Sequence, residues 1–166
     1  GEIGVDSTPG EGATFWFTVR LGKGVAPTPR PAVHDDVERR LRERHAGTRV
    51  LLAEDDPINQ EVSLALLEDV GLIATLAVNG REAVDLAAQA SYRLILLDMQ
   101  MPELDGPGAA RAIRRLPGYA ATPILAMTAN VFETDRQTCQ AAGMNDHIGK
   151  PVDPERLYAM LLRWLD

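Results

Sequence analysis

Between residues 48 and 166 the chain alternates five times between a short apolar run and a segment of helical period. No other feature limits its fold as much. The apolar runs cover residues 50–53, 72–78, 94–97 and 124–127, with a weaker one at 147–148. Runs that are apolar throughout predict strands buried on both faces, and so a parallel sheet covered by helices on each side. Helix signals fall between them. Asp56 can cap the first helix, with Pro57 at the favoured first position and Gly71 as the stop. Asn79 can cap the second, with Glu82 three residues on. The third is expected from about Gly106 to Leu116, stopping at Pro117-Gly118, and the fourth over about 133–142, stopping at Gly143. Asp153 and Pro154 open the last, which carries Leu157, Leu161, Trp164 and Leu165 on one face. Five β-α units give an α/β fold, a (βα)5 doubly wound, five-stranded parallel sheet. In such a sheet the site lies outside the carboxyl ends of the strands.

The residues at those ends carry chemistry. The first strand runs into Glu54-Asp55-Asp56, the third into Asp98, the fourth into Thr128 and the fifth into Lys150-Pro151. The second runs into Asn79-Gly80, which reads as a loop. Crowded carboxylates repel one another, and a hard cation relieves that. Mg²⁺ takes oxygen ligands in octahedral geometry and keeps several waters. One metal and one lysine can together neutralise a phosphoryl group at Asp98, because carboxylates do form aspartyl phosphates. Such a transfer spreads charge over three oxygens, so positioning and cations do most of the work. Thr128 can donate to one of those oxygens and Lys150 can pair with another.

The rest of the chain differs in composition. Residues 1–21 read as a β-hairpin. Ala13, Phe15, Phe17, Val19 and Leu21 alternate with polar residues and Trp16, after the turn signal at residues 8–12. A lone hairpin is marginal in water, so this one docks on something or belongs to something larger. Residues 22–47 read as a linker. Pro27, Pro29 and Pro31 hold an extended segment, and a charged stretch follows with Val37 and Leu41 as its apolar pair. That stretch is expected to be a solvated spacer or a short helix capped by Asp35 or Asp36. The formal charge is −7, from 24 acidic and 17 basic residues, which argues against direct nucleic acid binding. No stretch approaches the roughly 20 apolar residues of a membrane span, so no membrane contact is expected from this segment. The opening GEIGVDSTPG lacks the basic start and apolar core of a secretory leader. Cys139, the one cysteine, has no partner for an internal disulfide, which fits a reducing compartment.

Residues 48–166 resemble the receiver domain of two-component response regulators. The matching stretches, in order, are VLLAEDDPINQ, LILLDMQMPELDG, PILAMTAN and GMNDHIGKPVD. The wording of the first two is most similar to receivers fused to hybrid sensor histidine kinases. The resemblance implies a flavodoxin-like sheet of strand order 2-1-3-4-5. It implies that Asp98 is the phosphoacceptor, and that Glu54 and Asp55 hold Mg²⁺ or Mn²⁺ together with Asp98 and the Gln100 backbone carbonyl. Thr128 matches the switch hydroxyl, Lys150 the family's lysine, and Lys150-Pro151 a peptide bond that is usually cis. Ala129 stands where a small residue leaves the site open, and Asn130 flanks it. Asp56 departs from the more frequent Asn and is expected to cap its helix. His147 departs from the usual aromatic switch, so it serves either as a titratable switch residue or as a surface strand residue.

The first 21 residues resemble the last hairpin of a histidine kinase's ATP-binding domain. The nucleotide-binding elements are not among them, and neither His34 nor His45 sits in a phosphoacceptor motif. The resemblance therefore implies a piece of a hybrid kinase that promotes only its own aspartyl phosphorylation. Its expected location is cytoplasmic, on a parent kinase that is membrane-anchored or not. Its expected partners are a histidine kinase dimerisation/phosphoacceptor domain or a histidine phosphotransfer domain. The helix that starts at Pro57-Ile58 offers them a surface if Ile58 and Val62 are not core residues. Two alternatives remain at this level: a receiver-like regulatory module that works without phosphorylation, and a phosphatase with an aspartyl nucleophile. The common form of the latter carries a second Asp two positions on, where this chain has Gln100.

Overall fold

The computed structural model describes residues 1–8, 10, 12–21, 32–129 and 133–166. These form two compact units, Gly1–Pro31 and Ala32–Asp166. In the first, β1 (Ile3–Thr8) and β2 (Gly12–Phe17) pair antiparallel, with Ile3 opposite Phe17 and Thr8 opposite Gly12. β2 stops at Phe17, short of Val19 and Leu21, so the alternating pattern outruns the paired strand. Phe15 and Phe17 are largely exposed. Pro9 and Glu11 of the expected turn, residues 22–31 of the expected linker, and Asn130 lie outside the described residues.

The second unit is built on five parallel strands: β3 (Arg49–Ala53), β4 (Ile73–Ala77), β5 (Leu94–Asp98), β6 (Ile124–Thr128) and β7 (Asp146–Gly149). Their order is β4-β3-β5-β6-β7, the expected 2-1-3-4-5 of a doubly wound sheet. Helices α1 (Ala32–His45), α2 (Pro57–Asp69), α3 (Gly80–Gln89), α4 (Gly106–Arg114), α5 (Glu133–Ala141) and α6 (Pro154–Leu165) flank it.

Side chains alternate across a strand, and here both sets are apolar. Leu51, Ile95, Leu97, Ile124 and Ala126 pack with Ala83, Ala109 and Ile113 of α3 and α4. Val50, Leu52, Leu94, Leu96 and Met127 face the other way, onto Leu67 of α2 and Leu157 and Leu161 of α6. The alanine-rich first face lets α3 and α4 approach the sheet closely. The caps follow the sequence. Asp56 accepts from the Ile58 and Asn59 amides, Asn79 from the Glu82 amide, and Asp153 from the Arg156 amide. Asp105 caps α4 by accepting from Gly108, which sequence reading did not single out.

The stretch from Ala32 differs from a solvated spacer. It forms a helix of 14 residues, so Asp35 and Asp36 lie inside it rather than at its cap. α1 packs against α6, with Leu41 fully buried among the apolar residues of α2 and α6 and Val37 partly so. Arg42 Nε donates to the Asp69 carbonyl at the end of α2 (2.8 Å), and His45 Nε2 lies 3.0 Å from Asp166 Oδ1. Polar contacts of this kind at the surface contribute at most about 1 kcal/mol each. The burial of Leu41 therefore decides the docking. Leu41→Ala is expected to lower unfolding stability by about 2–5 kcal/mol in urea denaturation, whereas an undocked helix would show almost no change.

Candidate functional site

The parallel register delivers the functional side chains to one edge of the sheet. Asp98 is the last residue of β5 and lies opposite Met127 of β6. Thr128 ends β6 opposite Gly149 of β7, and the next residue, Lys150, donates its amide to the Thr128 carbonyl (2.7 Å). Glu54 follows β3, with its amide on the Ala77 carbonyl (3.1 Å). Glu54, Asp55, Asp98, Gln100, Thr128 and Lys150 therefore line one cleft of about 950 Å³. Ala129 lines it too, and the Lys150–Pro151 peptide bond is cis.

Within the cleft Lys150 Nζ lies 2.6 Å from Asp98 Oδ2 and 2.6 Å from Glu54 Oε2. Glu54 is fully buried, and Asp98 and Thr128 nearly so. Such groups are tolerated only when paired. Burial pushes the Glu54 carboxyl above its ordinary range and the neighbouring Asp98 charge adds to this, while Lys150 and Asn59 offset part of it. Burial pulls the Lys150 ammonium down, but its bonds to Asp98 and Glu54 outweigh that and leave it above its ordinary value of 10.5. The second Asp98 oxygen, Oδ1, accepts from the Gln100 amide (3.2 Å).

The loop after β5 has little freedom. The Met99 amide bonds the Met127 carbonyl (2.9 Å), and the Gly106 amide bonds the Met99 carbonyl (3.2 Å). A Cβ on Gly106 would stand 2.2 Å from the Asp98 carbonyl oxygen, so only glycine lets the loop close there. At Gly80 a Cβ would stand 2.1 Å from the Leu104 carbonyl oxygen, which brings the start of α3 against the same loop.

The acidic set suits a metal. Carboxylate oxygens of Glu54, Asp55 and Asp98 lie within 4.8 Å of one another. Glu54 Oε2 is buried and has Lys150, 2.6 Å away, as its charge partner with no further hydrogen-bond donor, so it retains a lone pair to offer a cation. Asp56 is not one of this set, because its carboxylate caps α2 as expected. His147 stands apart. It lines a separate cavity of about 470 Å³ with Ile148, Met160 and Arg163. Two residues that sequence reading passed over touch the site. Asn59 Nδ2 donates to Glu54 Oε1 (3.2 Å) and Gln60 Nε2 to the Glu54 carbonyl (2.8 Å). Their signal was the polar pair in the otherwise apolar-periodic stretch after Pro57.

Residues 50–162 match the response regulator receiver domain. The chain belongs to that family. It is a receiver of the two-component phosphorelay type, and its relatives include hybrid kinases. The receiver and its preceding hairpin are 35% identical over 165 residues to hybrid signal transduction histidine kinase K of Dictyostelium discoideum, covering 95% of this chain and 13% of that protein. The chain spans only 12–13% of the length of the first curated relatives it matches. Among solved structures, the receiver domain of a Pseudomonas aeruginosa sensor histidine kinase, with a magnesium ion in its active site cleft, is 42% identical at a TM-score of 0.69, covering 72% of this chain and 98% of that one. The Saccharomyces cerevisiae response regulator receiver Ssk1, co-crystallised with the histidine phosphotransfer protein Ypd1, matches at 30% identity and a TM-score of 0.65, covering 72% of this chain and 89% of that one.

The raised Lys150 value has a direct consequence for the receiver's stability. A folded-state pKa above the unfolded one means that Lys150 stabilises the fold fully below pH 10.5, and that this is lost as pH rises through the folded value. Urea unfolding of wild type and Lys150→Met across alkaline pH is expected to show a stability gap that holds up to 10.5 and narrows above it. A gap that stays constant would mean Lys150 is not held by the two carboxylates.

Proposed function

We propose that this receiver takes a phosphoryl group from a phosphohistidine onto Asp98 in a Mg²⁺-dependent reaction, as one module of a hybrid histidine kinase. The observation that carries the reading is Lys150 Nζ held 2.6 Å from both Asp98 and Glu54, in the cleft that Thr128 also lines. Asp98 attacks phosphorus as the P–N bond of the phosphohistidine breaks, and the leaving imidazole nitrogen keeps the electron pair and takes a proton from solvent. Gln100 and Lys150 orient the two Asp98 oxygens for this attack. Glu54, Asp55, Asp98 and the Gln100 carbonyl would hold Mg²⁺ (or Mn²⁺), which supplies charge neutralisation of the phosphoryl oxygens when bound. A magnesium ion in the cleft of the Pseudomonas receiver supports that choice. Lys150 then pairs with one phosphoryl oxygen, and Thr128 turns its hydroxyl to another, shifting the edge formed by β6 and β7. His147 lies on that edge and serves as its switch residue.

The partner is a histidine phosphotransfer domain or the dimerisation domain of a kinase, docking beside the cleft at the start of α2. Ile58 and Val62 are 73% and 47% exposed there, so they are not core residues. The Ssk1–Ypd1 pair supports this class of partner. The hairpin is the end of the kinase's ATP-binding domain, in line with the match to kinase K across 95% of this chain. A phosphorelay with a kinase places the module in the cytoplasm. Among the described residues no helix is long and apolar enough to cross a membrane.

Incubation with acetyl phosphate followed by intact mass measurement tests the reading. One phosphoryl group is expected on the wild type in the presence of Mg²⁺, and none without the metal or in Asp98→Ala. A folded wild type that gains nothing would favour a receiver that works without phosphorylation. Ile58→Asp is expected to slow transfer from a phosphorylated phosphotransfer domain by about tenfold, the equivalent of one lost apolar contact, with uptake from acetyl phosphate unchanged.

A further inference from the structure

The first turn of α2 leaves Glu54 with an unusual set of partners. Pro57 has no amide hydrogen. The Ile58 and Asn59 amides both go to Asp56 Oδ1, each at 3.0 Å. The Gln60 amide goes to the Asp56 carbonyl at 2.9 Å. The helix end that normally serves an anion is therefore filled by its own cap. Glu54 lies just before that turn, fully buried, and must be satisfied by side chains. Gln60 fixes its main chain through the carbonyl (2.8 Å), and Asn59 Nδ2 fixes its carboxylate through Oε1 (3.2 Å). The other contact to Oε1, from the Asp56 amide, is long at 3.4 Å.

Glu54 Oε2 meanwhile meets Lys150 Nζ, which also holds Asp98 Oδ2, and the Glu54 carboxylate clusters with those of Asp55 and Asp98. A glutamate has three rotatable bonds, and one oxygen tied to Asn59 is what keeps the other aimed at the acidic cluster. Without that tie the carboxylate can rotate to meet Lys150 with both oxygens and turn away from the cation. We propose that Asn59 is a positioning residue, which acts through Glu54 to preorganise the cation site, with Gln60 bracing the main chain of the same residue. This rests on the phosphoacceptor reading above and adds a residue to it. It also explains the close spacing of Glu54, Asn59 and Gln60: the acid precedes the helix, and the two amides reach back from its first turn.

A double-mutant cycle tests the assignment. Mg²⁺ affinity is measured by calorimetric titration for the wild type, Asn59→Leu, Glu54→Gln and the pair, with Asn59→Ala as an independent variant and the thermal midpoint as a control on folding. Asn59→Leu and Asn59→Ala are expected to weaken Mg²⁺ binding about tenfold, with phosphoryl uptake at saturating Mg²⁺ within about twofold of wild type. In the Glu54→Gln background the same change is expected to cost less than about twofold, because the group through which Asn59 acts is gone. Unchanged Mg²⁺ affinity in both Asn59 variants, or an equal loss in both backgrounds, would overturn the positioning role alone. A wild type that neither binds Mg²⁺ nor takes up phosphoryl would overturn the phosphoacceptor reading and this proposal with it.

Discussion

Everything at the sheet's edge depends on one ammonium between two carboxylates. Lys150 sits 2.6 Å from both Asp98 and Glu54 at a place where Glu54 has no exposure to solvent. Removing charges from water costs several kcal/mol per ion, and only close pairing returns it. The fold supplies that pairing through register. β5 and β3 are neighbours at the point where the strand order reverses, and β6 and β7 continue the same edge. Glu54, Asp98, Thr128 and Lys150 come from four separate strands, so no local segment can make the constellation. It exists only when the whole sheet is formed.

The helices around the cleft serve as its frame. α2 begins at the site, where Asp56, Asn59 and Gln60 organise its first turn, and ends at α1, where Arg42 meets the Asp69 carbonyl. The start of α3 and the loop after β5 close against each other where Gly80 meets the Leu104 carbonyl oxygen. Asn79 both caps α3 and donates to Glu103 in that loop (3.2 Å). Loop positions that chemistry needs fixed are thus tied to helix ends, the points where backbone groups are short of partners anyway.

The sheet and the chief site residues were legible because two independent signals coincide in the sequence. The central strands β3, β5 and β6 are apolar on both faces, and the polar groups of interest stand where the apolar runs stop. What was not legible depended on contacts between segments far apart in the chain. Leu41 and Val37 form too narrow a stripe to predict docking, and only the apolar residues of α2 and α6 give that stripe a place to be buried. Asn59 and Gln60 look like ordinary polar residues at the start of a helix. Their meaning depends on where Glu54 lies, which the sheet fixes. The start of α4 at Gly106 was expected, but Asp105 was not singled out as its cap, because its neighbours supply turn-type residues and the cap is defined only by the bond to the Gly108 amide.

The charges of the cleft explain why Asp56 is tied up. Glu54, Asp55 and Asp98 against Lys150 already leave an excess of negative charge near one point. A fourth free carboxylate would add to the repulsion and would offer a cation a competing seat farther from Asp98. Bound to two amides at the positive end of α2, Asp56 has its charge balanced locally and its oxygen engaged. Asparagine in that position would cap equally well without the charge, so what Asp56 adds is electrostatic: a full negative charge against the positive end of α2. Among the described residues the cation that remains paired with the cluster is Lys150, held between Asp98 and Glu54.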